Sequence, residues 1–169
     1  RKYIYKYDPA GNEIEEAEYY RGSLKRRKIC KYNSAGNQIE SAGYNSDGSL
    51  EWKYVYKYDS SGNQIESASY NSDGSLREKE TYKYDSSGNM IEEAWYISDV
   101  SLRYKTIYKY DSAGNMIESA YYNSDGSLEW KYIYRYDSAG NQIEETEYYR
   151  GSLKRRKICK YNSAGNQIE

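Results

Sequence analysis

Residues 56–76 read YKYDSSGNQIESASYNSDGSL, and nearly the same words return from Tyr82, Tyr108 and Tyr134. The stretch holds two turn words. In the first, Asp59-Ser60-Ser61-Gly62-Asn63, the Asp side chain suits a bond to the backbone ahead of it, and Gly62 suits the left-handed conformation that closes a type I turn. In the second, Asn71-Ser72-Asp73-Gly74 follows the same logic. The single proline agrees: Pro9, in Asp8-Pro9-Ala10-Gly11, occupies the second turn position, where its fixed φ is favoured. Twelve of the 13 glycines fall in one turn word or the other.

Between turns the apolar residues alternate with period two. Leu50, Trp52, Tyr54, Tyr56 and Tyr58 point one way, and Glu51, Lys53, Val55 and Lys57 the other, which predicts β-strands. Counting back from a pairing of Asp59 with Asn63 sets Tyr58 beside Gln64, Tyr56 beside Glu66, Tyr54 beside Ala68 and Trp52 beside Tyr70. The second turn brings Tyr70 next to Leu76. On this register one face carries Leu, Trp, Tyr and Ala, and the other carries Lys57, Ser67, Ser69 and a thin stripe of Val55 and Ile65.

The turn glycines Gly11, Gly36, Gly62, Gly88, Gly114, Gly140 and Gly165 are spaced 25, 26, 26, 26, 26 and 25 residues apart. Residues 3–40 recur almost unchanged at 132–169, a second period of 129 residues. The expected fold is therefore all-β: tandem antiparallel hairpins of about 26 residues in one continuous twisted or coiled meander sheet, a single repeat array over residues 1–169. About 13 strands at roughly 4.8 Å make an uncoiled ribbon about 60 Å long, so the sheet is expected to coil unless side-chain ladders hold it open. The array reads as a window cut from a longer one.

The chain has 169 residues, with 25 basic and 26 acidic side chains and a formal charge of −1, so nucleic acid is not an expected partner. No apolar run is long enough to insert in a membrane, and RKYIYKYD lacks the pattern of a signal peptide. Leu, Ile and Val total only 21 and Phe is absent, but 25 Tyr and three Trp supply apolar bodies with polar ends. The expectation is a surface packed flat and wetted at its edges rather than a thick dry core. Cys30 and Cys159 occupy the same place in two copies of KRRKICKYNSAGNQIE, so they are one position seen twice. If five hairpins complete one turn of a coil the two thiols approach each other; on an uncoiled ribbon they lie roughly 48 Å apart.

The recurring pattern of Tyr56, Tyr58, Asp59, Gly62 and Asn63, followed by Asp73 and Gly74, resembles the YD-repeat family found in Rhs proteins, polymorphic-toxin shells and teneurins. The resemblance covers essentially the whole chain. It implies a β-spiral of tandem hairpins able to wall off a cavity around a toxic C-terminal domain.

The leading candidate surface is the aromatic face: Trp52, Tyr54, Tyr56, Tyr58, Tyr70, Tyr82, Tyr84, Trp95, Tyr108, Tyr110, Trp130, Tyr132, Tyr134 and Tyr136. It serves either as cross-strand packing or as a ligand platform that stacks on sugar rings; its regular repetition favours packing. The turn set is Asp59, Gly62, Asn63, Asp73 and Gly74. The basic words Lys25-Arg26-Arg27-Lys28 and Lys154-Arg155-Arg156-Lys157 are matched in their own hairpins by Glu15, Glu16 and Glu18, or Glu144, Glu145 and Glu147, which points to cross-strand pairing rather than a polyanion site. These hairpins also have a shorter second turn, Tyr20-Arg21-Gly22-Ser23. Asn-Ser-Asp-Gly offers too few oxygens for calcium. The chain has no His, and neighbours such as Glu92 and Glu93 point to opposite faces of a strand. No catalytic residue, metal or cofactor is expected.

One turn breaks the rule: Ile97-Ser98-Asp99-Val100 places a β-branched residue where the other copies have Gly. Val100→Gly is expected to raise the melting temperature; an unchanged or lower value would give this loop a fold of its own. The functional expectation is a non-enzymatic, extracellular or cell-surface bacterial protein: a stalk, wall or filament element that self-associates end to end through open sheet edges. The rival readings are a carbohydrate-binding or adhesive module, with glycans as partners, and a shell fragment of an Rhs-type toxin.

Overall fold

A computed structural model describes residues 1–98, 101–162 and 166–168. The turn centred on Asp99 and Val100, and the last turn glycine, Gly165, lie outside them. The chain is all-β. Its strands are β1 (Lys2–Tyr7), β2 (Glu13–Tyr20), β3 (Ser23–Tyr32), β4 (Gln38–Asn45), β5 (Leu50–Tyr58), β6 (Gln64–Tyr70), β7 (Leu76–Tyr84), β8 (Met90–Ile97), β9 (Ser101–Tyr110), β10 (Met116–Asn123), β11 (Leu128–Tyr136), β12 (Gln142–Tyr149) and β13 (Ser152–Ile158). They form one antiparallel sheet in chain order, the tandem hairpin meander expected from the words. By packing, the chain divides into two units: Arg1–Thr81 with Tyr96–Ser101, and Tyr82–Trp95 with Leu102–Glu169.

The first turn word folds as its chemistry dictates. The Asp59 N–H donates to the Asn63 carbonyl at 2.9 Å, and the Gly62 N–H donates to the Asp59 carbonyl at 3.2 Å. Asp59 Oδ1 accepts the N–H groups of Ser61 and Asn63, both at 2.9 Å, and Oδ2 accepts Asn63 Nδ2 at 3.0 Å. Gly62 has φ +89°, a region a residue with a Cβ enters only under strain. In the second word the carboxylate acts one step later: Asp73 Oδ1 accepts both the Ser75 N–H (2.8 Å) and the Ser75 hydroxyl (2.6 Å). The shorter turn at Tyr20–Ser23 has φ +49° at Arg21 and +83° at Gly22, the pair of positive values that defines a type I′ hairpin. Ser98, in the turn that breaks the rule, has φ +37°.

The register departs from the simple count. Tyr58 does pair with Gln64, but Lys57 pairs with Glu66, so Ile65 is an extra residue in the strand. This β-bulge moves every later pair by one: Tyr56 faces Ser67, Tyr54 faces Ser69, Val55 faces Ala68 and Lys53 faces Tyr70. The second turn carries a bulge of its own. Tyr70 pairs with Leu76, as expected, while Ser69 pairs with Glu78 and Arg77 is extra.

The faces are reassigned accordingly. Ser67 and Ser69 belong with Trp52, Tyr54 and Tyr56. Ala68 and Tyr70 belong with Lys53, Val55 and Lys57.

Among the described residues the buried apolar side chains are five alanines (Ala17, Ala42, Ala68, Ala94 and Ala120) with Cys30 and Cys159. A single sheet has no second layer, so the apolar side chains that leave solvent are small ones flanked by larger neighbours. Ile4, Ile29 and Val55 stand opposite Ala17, Ala42 and Ala68, and Ile107 stands opposite Ala120. Both cysteines are free thiols.

Candidate functional site

The aromatic face is built from alternate residues of the long strands. In the first unit, Trp52, Tyr54 and Tyr56 follow one another along β5. The Tyr54 and Tyr56 rings stack at 6.4 Å with planes 7° apart, and Trp52 tilts against Tyr54 at 5.7 Å. In the second unit, Tyr132 and Tyr134 repeat the stack at 6.4 Å, and Trp130 meets Tyr149 at 4.6 Å. Trp95 packs edge-on against Tyr104 at 5.3 Å, and Tyr104 meets Tyr121 at 5.2 Å. Tyr104, Tyr121 and Tyr149 were not singled out in the sequence. The repeat itself marks Tyr104, which lies one period before Trp130 and two periods after Trp52.

Tyr70 does not join this face. It lies opposite Lys53, in a column where cations cover tyrosine rings: Arg27 over Tyr44 and Lys79 over Tyr96 in the first unit, and Lys105 over Tyr122 in the second.

Five tyrosines that directly precede a first turn word have a further task. The Tyr58 hydroxyl donates to the Gln38 carbonyl at 2.9 Å, 20 residues back in the preceding hairpin. Tyr32 to Glu13, Tyr110 to Met90, Tyr136 to Met116 and Tyr161 to Gln142 repeat the bond at 2.8–3.0 Å. Each hydroxyl pins one hairpin to its predecessor. Tyr58→Phe is therefore expected to cost about 0.5–1.5 kcal/mol in urea denaturation, the net worth of one such bond. An unchanged midpoint would mean that water replaces the hydroxyl at no cost.

The opposite face carries an ionic ladder that the bulge makes possible. Lys57 pairs with Glu66 at 2.9 Å, and the same pair recurs as Lys6–Glu15, Lys31–Glu40, Lys83–Glu92 and Lys109–Glu118. Glu40 also takes Lys53 at 2.7 Å, and Glu118 takes Lys131 at 2.7 Å. Hydrogen bonds from Lys31 and Lys53 hold the Glu40 carboxyl below its ordinary range. The basic words are paired within their own hairpins: Arg26 with Glu18, Arg155 with Glu145 and Glu147, and Arg156 with Glu144.

Groups of three or more metal-ligating side chains are absent among the described residues. Among the described residues no helix is long and apolar enough to cross a membrane. Perturbed ionisation follows the architecture. Hydrogen bonds from Asn63, first of all its side chain, lower the Asp59 pKa, and burial raises that of Tyr56. Burial, then the nearby Glu93 carboxylate, raises Tyr108, whose hydroxyl donates to Glu93 at 3.2 Å. These shifts mark structural contacts shared between neighbouring strands.

The backbone is similar to that of the Photorhabdus luminescens Tc holotoxin pore with a mutated TccC3, with a TM-score of 0.57 and 14% identity over 98% of this chain. It is also similar to a crystal structure of TcdB2-TccC3, with a TM-score of 0.53 and 15% identity over 94% of this chain. The chain spans about a tenth of the length of either structure, each being covered over 10%. At this identity the likeness is one of fold, and it agrees with the expected β-repeat architecture. No curated protein matches the chain. A family model described as "Uncharacterised protein" matches residues 57–169.

Proposed function

The chain belongs to that family, and we propose that it serves as a non-enzymatic structural element: a stalk, wall or filament segment outside a bacterial cell that self-associates through its sheet edges. The observation that carries this reading is the tyrosine hydroxyl bond that ties a hairpin to the one before it at Tyr32, Tyr58, Tyr110, Tyr136 and Tyr161. The recurring residues are committed to cohesion: Asp59 to its turn, Lys57 to an ion pair across the strands, Tyr58 to the neighbouring hairpin. The resemblance of the Tyr-x-Tyr-Asp words to YD-repeat shells, together with the fold shared with the Tc structures, supports a wall built by propagating hairpins. The same resemblance supports placing it outside the cell.

Self-association has a physical basis in the edges. Within the described sheet β1 and β13 are the outermost strands and their side chains are exposed throughout, and a strand unpaired on one side is a template for another. Antiparallel pairing continues when β1 meets the β1 of a second copy, or β13 meets β13, each a two-fold joint; using both joints gives an open chain of copies. Small-angle X-ray scattering across a concentration series tests the proposal. Particle length is expected to grow while the cross-section stays constant. Scattering that scales as an unchanging monomer up to millimolar protein would overturn self-assembly.

A further inference from the structure

Gly43 is the one glycine outside a turn word. It interrupts a row of side chains that runs across five strands on the aromatic face: Tyr5, Glu16, Lys28, Gly43 and Trp52 stand opposite one another in sequence. Where other hairpins put a side chain at this place, Gly43 has none, and the Trp52 indole takes that space, 2.4 Å from where a Cβ would be, and so floors a shallow notch. The bulge between Leu50 and Trp52 turns Glu51 to the same side as the indole. A cavity of about 230 Å³ results, walled by Trp52 and Glu51 on one flank and by Glu16, Glu18, Arg26 and Lys28 on the other.

We propose that this notch binds one neutral sugar ring, stacked on Trp52 and hydrogen-bonded to Glu16 and Glu51. The cations of this face are already engaged, Arg26 by Glu18 and Lys28 by Glu13, while Arg27 lies on the opposite face over Tyr44, so the walls offer an anion no free cation and present carboxylates to a neutral, hydroxyl-bearing ligand. Part of the wall is fixed in advance: Glu18, its side chain 10% exposed, accepts Arg26 Nε at 2.6 Å. Glu16 and Glu51 form no ion pair among the described residues, which leaves two carboxylates to accept hydrogen bonds from hydroxyl groups. A pyranose offers the matching chemistry, an apolar C–H face for the indole and a rim of donors for the acids. The space falls below the roughly 300–1,000 Å³ of drug-sized sites and suits a single ring. The inference is independent of the structural role proposed above, and either can fail alone.

The test is ¹H–¹⁵N NMR of the full chain, following its three indole N–H signals, with that of Trp52 assigned by its loss in Trp52→Phe. Methyl β-glucoside, methyl β-galactoside and methyl N-acetyl-β-glucosaminide are titrated one at a time, then an oligosaccharide of whichever binds. The expected result is saturable movement of the Trp52 signal alone with at least one methyl glycoside. Glu16→Gln and Glu51→Gln are each expected to weaken binding by roughly tenfold, the loss of a charge-assisted hydrogen bond, while leaving the melting temperature near that of the parent. Tighter binding of the oligosaccharide assigns the notch to a unit within a glycan, and equal binding assigns it to a free sugar. Failure of all three glycosides to move the signal, equal movement of all three indoles, or a response to choline or sulfate instead would overturn the proposal.

Discussion

Gly43→Ala is expected to destabilise the protein by about 1–3 kcal/mol, the usual cost of forcing extra volume into a filled site. In an ordinary strand the same substitution stabilises by roughly 0.5–1 kcal/mol, because alanine loses less backbone entropy than glycine on folding. Here the sign reverses. The new Cβ would lie 2.4 Å from Trp52 Cε2 and Nε1 and 2.9 Å from Cζ2, so the indole has to leave. The control is Trp52→Ser, which empties the space: in that background Gly43→Ala should be neutral or stabilising. Urea denaturation of the four proteins gives the coupling energy directly. An equal loss in both backgrounds would show that the backbone at Gly43, not the indole, resists the substitution.

The pair belongs to a wider pattern at one place in each hairpin, just past the bulge of the second turn. Glu18 stands opposite Arg26, Gly43 opposite Trp52, Ser69 opposite Glu78, Tyr121 opposite Trp130 and Glu147 opposite Arg155. Charge meets opposite charge at Glu18 and Glu147, the smallest residue meets the largest at Gly43, a hydroxyl meets a carboxylate at Ser69, and aromatic meets aromatic at Tyr121. A chain of near-identical hairpins risks pairing a strand with the wrong partner, and these complementary pairs distinguish one hairpin from the next.

The elements were legible and the register was not. Turn words with Asp, Asn and Gly at fixed offsets, separated by strict alternation, locate the strands and give the meander directly. Counting back symmetrically from Asp59 and Asn63 misses Ile65, because nothing in the apolar–polar pattern of Gln64-Ile65-Glu66-Ser67 marks the residue at which the faces switch. A signal was nonetheless present. The symmetric register sets Lys57 against Ile65 and Tyr56 against Glu66, a mismatch repeated in most hairpins, whereas slipping one residue sets Lys57 against Glu66 and does the same for Lys31 with Glu40 and Lys109 with Glu118. Cross-strand charge matching would have chosen the observed register. Tyr70 was placed on the aromatic face by that same slip. The notch over Gly43 was beyond reach for a related reason: it depends on which residues stand opposite one another and on the bulge that turns Glu51.

Acid is expected to unfold the protein over a narrow range and with uptake of several protons, since the same carboxylate bond is repeated along the chain. Asp8, Asp59, Asp85, Asp111 and Asp137 have lowered pKa values, owing first to the Asn side chain that closes each turn; Asp47, Asp73 and Asp125 are lowered first by the serine hydroxyl beside them. A carboxyl whose folded pKa lies below its unfolded value of about 3.9 contributes stability that is present above that value and lost as pH falls through the folded pKa. Below about pH 4 the unfolded chain binds more protons than the native one, so the melting temperature should drop steeply there. Tyrosine sets the opposite limit. Burial raises Tyr56, Tyr110, Tyr134 and Tyr136. Their contribution is complete below the unfolded value of about 10 and disappears as pH rises through the folded values. The melting temperature is thus expected to be flat from about pH 5 to 9 and to fall on both sides. The chain supplies its own control at Asn33, whose Oδ1 accepts the N–H groups of Ala35 and Asn37 at 3.0 and 2.9 Å without a titrating group. Replacing Asp59, Asp85 and Asp111 by Asn should lower the plateau, since an amide nitrogen cannot accept the bond that Oδ2 takes from the closing Asn, and make the acid limb shallower by up to about three protons, one for each carboxyl removed. An acid limb of undiminished slope in that variant would place the titrating groups elsewhere, in the glutamates of the ionic ladder.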